Sequence, residues 1–420
     1  MGSSTATRII DAVDARRDEI VGFLQRLIQL DSETGKEGPI SDFVAGTLHG
    51  MSLEVDQFAL DLQALASHPS FLKPQLDPEG RPNVVGTWKG TGGGKSLLFN
   101  GHMDTVPPDP VEQWRDGPFS GALREGSIWG RGASDMKSGL AAMTMAVAVL
   151  QGLQLRPRGD VILEYTVDEE HTGMGTLACV VKGYKADAGI CCETSNLEVM
   201  PACIGRMWFT VKLRGKPSGI STRWLSVSAI EKGAKIVQAV DDLEKMRIAD
   251  LKHALYPDNR GALPCAVTMF QSGTFPSVTP ERAVLRGSMG TMPYEKPAEV
   301  LAQLRAQIQR VAEADPWLRE NPPEVNFEGL IAPGAEIPSD HPIVQTLQNS
   351  FEKATGHAPV ISGRKGGADT RFLVPDGGIP TVIFGPGITP MMHAMNEYVP
   401  VENLITATKV MALAIQEWCN

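Results

Sequence analysis

The chain has 420 residues, 42% of them apolar, and a formal net charge of −10, which allows two domains with large cores and argues against nucleic acid as a partner. No run approaches the ~18 apolar residues of a membrane-crossing helix, and the first twenty residues lack the apolar core of a secretory leader, so neither membrane nor export is expected. The six cysteines, at 179, 191, 192, 203, 265 and 419, show no CxxC spacing and fit reduced thiols in a cytoplasmic protein.

Residues 7–31 carry Ile9, Ile10, Val13, Ile20, Phe23, Leu24, Leu27 and Leu30 at a 3.6-residue rhythm, which predicts an amphipathic opening helix. The segment "RPNVVGTWKGTGGGKSLLFNGHMD" predicts two strands joined as a hairpin by a glycine-rich turn. Its "GTGGGKS" superficially suggests a phosphate loop. Lys89 stands where that motif needs glycine, however, and a strand follows where it needs a helix. "AAMTMAVAVLQG" is apolar all round but short, and reads as part of a buried helix beginning near Ser138; the strand "VILEYTV" then runs into an acidic pair. From about 204 the texture changes to strand, helix, two strands, helix and a final extended segment. This β-α-β-β-α-β order predicts a compact inserted α+β domain over 204–332. A helix from His341, the "GGADTRF" turn, a strand and a helix from Val401 complete the chain.

Six residues spread over this framework suggest chemistry. They are His102 in "FNGHMDTVP", Asp135 in "GRGASDMKSG", Glu169 and Glu170 in "TVDEEHTGMGT", Glu193 in "ICCETSN", and His393 in "MMHAMNEYVP". Any one of them alone is more often a cap, a hydrogen-bond partner or a solvated side chain. Four of the sites, however, follow short apolar runs and sit among Gly, Pro or Thr, where ligands collect at the carboxyl ends of strands in open α/β sheets. Two imidazoles and three carboxylates can hold two divalent ions if one carboxylate bridges them. The carboxylate left over is then free to act as a base on an attacking water. Asp104, two residues beyond His102 on the same side of an extended segment, is placed to accept the other imidazole N–H. Cys191 and Cys192 precede Glu193 but read as small buried residues at a strand end.

Five such motifs, in order from about residue 15 to the C-terminus, resemble the co-catalytic metallopeptidase family of carboxypeptidase G, acetylornithine deacetylase, succinyl-diaminopimelate desuccinylase and the aminoacylases. The resemblance implies an α/β catalytic domain with a central mixed sheet flanked by helices, in two parts (1–203 and 333–420). It makes the insert a lid that pairs two subunits into a homodimer. It implies two divalent ions per subunit, with His102 and Glu193 as ligands of the individual ions and Asp135 as the bridge. Glu170 and His393 complete the shells, Glu169 is the general base, Asp104 orients His102, and the peptide after Asp135 is cis. Zinc, manganese and cobalt all suit a shell rich in carboxylate and imidazole.

The lid departs from that family. Gly219 stands where relatives have a histidine that reaches the neighbouring subunit's oxyanion, Ser277 where they have asparagine, and Gly290 where many have arginine. Losing one oxyanion donor costs about 2.7–4 kcal/mol in the transition state. Arg223, Arg364 and Lys365 are candidate replacements. Three functions are therefore carried forward. One is a deacylase or other amidohydrolase acting on a small carboxylate-bearing substrate. Another is an aminohydrolase of nitroanthranilate type, releasing ammonia from an electron-poor aromatic amine by hydroxide attack on the ring. A third is a non-catalytic metal-binding descendant.

Overall fold

The computed structural model describes residues 4–420, which fall into two compact units. One comprises residues 4–201, 337–362 and 368–420, the other 202–336 and 363–367.

The first unit is built on a mixed sheet in the order Glu54–Phe58, Asn83–Trp88, Val161–Thr166, Leu97–His102, Ala188–Cys191, Thr381–Ile383, with Val199–Cys203 following. Its centre is parallel: Leu97–His102 pairs in parallel with Val161–Thr166 and with Ala188–Cys191, which pairs in parallel with Thr381–Ile383. These four strands are buried along their whole length, as a sheet covered on both faces requires. Alternation sends Leu97, Phe99, Val161 and Leu163 into one core with Leu140, Met143 and Val147 of helix Ser138–Gly152 and Val410 and Met411 of helix Val401–Trp418. Leu98 and Ile162 face the opposite way and pack with Cys179 and Leu373. The α/β architecture read from the sequence is thus the one observed.

Two expectations need correction. The opening helix is two helices, Thr5–Ala15 and Arg17–Gln29, broken at Arg16 (φ −102°, ψ 17°). Ile9, Val13, Ile20, Leu24 and Leu27 remain buried across the break. Val13 and Ile20 lie two turns apart, so the apolar rhythm does not register a one-residue interruption. The expected glycine-rich hairpin is absent as well. Strand Val161–Thr166 lies between its two arms, antiparallel to Asn83–Trp88 and parallel to Leu97–His102. The glycines serve close backbone approach instead. A Cβ on Gly90 would lie 2.2 Å from the Arg158 carbonyl, and one on Gly94 2.1 Å from that of Cys419.

The second unit is an antiparallel sheet ordered Cys265–Ser272, Arg282–Thr291, Gly205–Arg214, Glu324–Ala332. Met207, Phe209, Val211 and Leu213 point to one face and form a core with Ile236, Val240 and Leu243 of helix Ala229–Asp250 and Val300, Leu304 and Ile308 of helix Pro297–Ala314. On the other face Trp208 and Met269 are exposed.

Candidate metal centre

The parallel strands of the first unit deliver their side chains to one edge. His102 is the last residue of Leu97–His102, Glu169 and Glu170 follow Val161–Thr166, and Glu193 follows Ala188–Cys191. His393 comes from the loop after Thr381–Ile383. Asp135 arrives separately, on the irregular turn before helix Ser138–Gly152, where the Asp135–Met136 peptide is cis as the resemblance implied.

All six residues meet. His102 Nε2 lies 3.2 Å from Asp135 Oδ1, 3.4 Å from Glu193 Oε1 and 3.9 Å from Glu169 Oε2. His393 Nε2 lies 3.0 Å from Glu170 Oε2 and 3.5 Å from Asp135 Oδ2. The two oxygens of Asp135 therefore face different imidazoles. Two overlapping sets, His102–Asp135–Glu170 and His102–Glu169–Glu193, each bring one ligand atom per residue within 4.8 Å of the others. His102, Asp135 and Glu193 are buried, while the His393 side chain is half-exposed.

Asp104 differs in detail from the sequence reading. The main-chain carbonyl of Asp104, not its carboxylate, is the nearer partner of His102 Nδ1, at 2.9 Å against 3.6 Å for Oδ1. The carboxylate instead accepts the backbone N–H groups of Glu169 (3.1 Å) and Glu170 (3.2 Å) and the Thr34 hydroxyl (2.9 Å). It holds the acidic pair in place, and the carbonyl fixes the imidazole tautomer.

The electrostatics of the cluster call for a cation. Burial pushes Glu169 well above the ordinary carboxylate range, with Asp369, Glu193 and Glu170 adding to it against His102. Burial, then Asp135, raises Glu170, and burial drives Asp104 up to about 7. For His102, burial lowers the pKa, but hydrogen bonds to Asp135 and Glu193 and the surrounding negative charge outweigh it, leaving the imidazole well above its usual value. His393 is raised to about 9 by its hydrogen bond to Glu170. Protons here neutralise a charge that a divalent ion would neutralise better. Glu170 Oε1 is buried and has no hydrogen-bond partner, as a ligand atom awaiting an ion would be. The donor set of oxygens and imidazole nitrogens suits zinc, manganese or cobalt.

The remaining sequence candidates belong to the second unit. Arg223 is exposed and ion-paired with Glu231. Arg364 is buried and donates Nε to the Gly367 carbonyl at 2.9 Å, and Lys365 packs beside Gly261. Gly219 is extended (φ −65°, ψ 152°), with open space around a would-be Cβ. Ser277 is exposed and accepts the Ile220 N–H on its carbonyl at 2.9 Å. At Gly290 a Cβ would lie 2.2 Å from the Ala262 carbonyl, so no side chain fits on this backbone.

Several supporting residues escaped the sequence reading. Arg81 is buried, pairs with Glu37 (2.7 Å) and reaches Asp168 (3.0 Å), which adjoins the acidic pair. Glu397, four residues past His393, binds the turn that carries Asp135. Only its place in the His393 motif could have flagged it.

Residues 98–417 match the model of peptidase family M20/M25/M40. The chain belongs to this family. It is 31% identical to the N-formyl-4-amino-5-aminomethyl-2-methylpyrimidine deformylase of Halalkalibacterium halodurans over 81% of this chain and 83% of that protein. It is 30% identical to the succinyl-diaminopimelate desuccinylase of Ruegeria pomeroyi, over 83% and 90%. The crystal structure of aminopeptidase PepT from Bacillus cereus shares the fold, with a TM-score of 0.74 at 22% identity, over 96% of this chain and 99% of that one. As a member of the family the chain is a metal-dependent hydrolase of C–N bonds. Among the described residues no helix is long and apolar enough to cross a membrane.

Proposed function

We propose that the cluster holds two divalent ions, zinc, manganese or cobalt, and that the chain hydrolyses the amide of a short acyl group on a small amine. The observation carrying this reading is Asp135, whose two oxygens face His102 and His393 separately, as a bridging carboxylate would. His102 and Glu193 would hold one ion, Glu170 and His393 the other. Bound there, the pair supplies Lewis acidity that polarises the acyl carbonyl and acidifies the attacking water. Glu169, left over from the ligand set, takes a proton from that water as the C–O bond forms. It returns the proton to the nitrogen as the C–N bond breaks, giving a carboxylic acid and an amine. Asp104 positions both Glu169 and His102.

For the substrate, the names of the relatives support deformylation or desuccinylation. The glycine at 290, where the resemblance has a carboxylate-holding arginine in many members, favours an amine without that carboxylate. A second reading, release of ammonia from an electron-poor aromatic amine, is favoured by the glycine at 219, since ring attack leaves no carbonyl oxyanion to stabilise. We further propose a homodimer formed through the second unit and, from six buried free cysteines, a cytoplasmic location.

The deciding experiment loads metal-free protein with each ion and assays N-formyl and N-succinyl amines, N-acetyl amino acids and a nitro-substituted aminobenzoate. The amide reading expects acid and amine in equal amounts. Ammonia from the aminobenzoate alone would replace it with the second reading.

A further inference from the structure

Asp135 and His393 are 258 positions apart, and one buried carboxylate holds the segments that carry them. Glu397 is fully buried. Its Oε1 accepts the backbone N–H groups of Ser134 (2.7 Å) and Asp135 (2.9 Å). Its Oε2 accepts the Gly132 N–H at 3.0 Å and Arg131 Nη1 at 2.8 Å. These N–H groups open an irregular turn in which Asp135 and Met136 have non-helical backbone angles, and the first N–H groups of such a turn have no preceding helical carbonyl; Glu397 satisfies three of them at once.

The same segment is tied back to that turn at other points. Gly130 N–H donates to the Glu397 carbonyl (2.9 Å), the Ser134 hydroxyl to the Tyr398 carbonyl (2.8 Å), and Arg131 Nη1 to the Ala394 carbonyl (3.2 Å). Tyr398–Pro400 pairs antiparallel with Ser127–Trp129. Arg131 stacks on Trp114, its guanidinium 5.0 Å from the ring centre, so it cannot swing away from the carboxylate without giving up that contact. Four residues before Glu397, His393 Nε2 lies 3.5 Å from Asp135 Oδ2.

We propose that Glu397 is a positioning residue for the metal centre. It fixes Asp135 and His393 relative to each other and so sets the affinity for the ion that these two share with Glu170. A carboxylate is required because all four partners are donors and it alone accepts on both oxygens. An amide presents an NH2 to one pair of them, leaving buried donors facing a donor.

The inference rests on the two-ion reading. Its test is calorimetric titration of Co²⁺ into metal-free full-length protein, wild type and Glu397→Gln, with a melting curve of each to confirm folding. Two binding steps are expected for the wild type. In the variant the step for the ion held by His393 should weaken about 10- to 100-fold, the range for partners that orient metal ligands, and the other, which shares only Asp135, by less. Glu397→Asp, which keeps the charge but shortens the reach, should fall between the two, and it decides the matter if the glutamine variant does not fold. Fewer than two steps in the wild type would sink the two-ion reading and this inference with it. Two wild-type steps that persist unshifted in a folded variant, or weaken equally, would overturn the role of Glu397 alone. So would failure of both variants to fold, because the carboxylate would then serve the fold rather than the ion.

Discussion

Glu169, partly buried, and Glu164, fully buried, both belong to the first unit, and their surroundings give them different work. Glu169 sits in the ligand cluster with its backbone held by Asp104. Glu169→Gln is nearly isosteric and cannot take a proton, so the variant should bind its ions as the wild type does and lose about 10²- to 10⁴-fold in kcat. Metal analysis alongside a rate assay checks this, and a metal-loaded variant at near-normal rate would remove Glu169 from the mechanism. Asp135→Ala should instead lose at least one ion together with activity, because both of its oxygens are engaged. Glu164 lies in the sheet, opposite Asn100, which donates to it at 3.1 Å. Burial drives it up to about 8. With its folded pKa above the unfolded one, the folded chain binds more protons between those values, so stability falls as pH rises through that window. Glu164→Gln removes this titration. Urea unfolding of both proteins from pH 5 to 8 should show the variant gaining on the wild type as pH rises, by more than about 1 kcal/mol. A constant difference across the range would mean that Glu164 is ionised in the fold.

At the scale of elements, two glycines of the second unit, expected from the resemblance to stand where other members have side chains, occupy opposite environments. Gly219 lies in an extended stretch with nothing but Thr222 Oγ1, at 4.0 Å, near a would-be Cβ. Gly290 is in the strand Arg282–Thr291, pressed against Ala262 and Pro264. Gly219→His should therefore unfold at the denaturant concentration of the wild type, whereas Gly290→Ala should be less stable by about 1–3 kcal/mol, the usual cost of overpacking. Equal midpoints for the two variants would refute the difference in space. Gly219→His also separates the chemistries. If the chain cleaves amides, an added imidazole should raise kcat/KM or leave it alone. If it attacks an aromatic ring, the imidazole should obstruct the substrate.

On the scale of the whole molecule, the ligand cluster lies within the first unit and the second has its own core. Ions that bind only the folded first unit stabilise it by mass action. Chelation should abolish activity and lower the melting transition of the first unit, leaving that of the second in place, and added Zn²⁺, Mn²⁺ or Co²⁺ should reverse both effects. Differential scanning calorimetry with and without chelator reads this directly. A thermogram unchanged by chelator in protein shown to be metal-free would mean that the cluster binds nothing of consequence.

Four of the metal-site candidates' motifs, all but that of Asp135, were legible in the sequence because strand ends announce themselves locally. An apolar run followed by His, Glu-Glu or Glu beside Gly or Thr is a pattern of a few residues, and a parallel sheet brings such ends to one edge. The second unit's order of strands and helices was legible for the same reason, since periods of 2 and 3.6 are properties of a short window. The partner of each strand was not. Val161–Thr166 separates the two arms of an apparent hairpin because the glycines between them pack on Arg158 and Cys419, residues remote in the chain. Likewise nothing near Asp104 in sequence says that its carboxylate takes the N–H groups of Glu169 and Glu170, and nothing near Glu397 says that it carries the turn around Asp135. Local pattern thus determined which side chains stand at the strand ends. Only the tertiary structure decided what holds them there, because a buried hydrogen bond takes whichever donor the fold brings within reach, regardless of its distance along the chain.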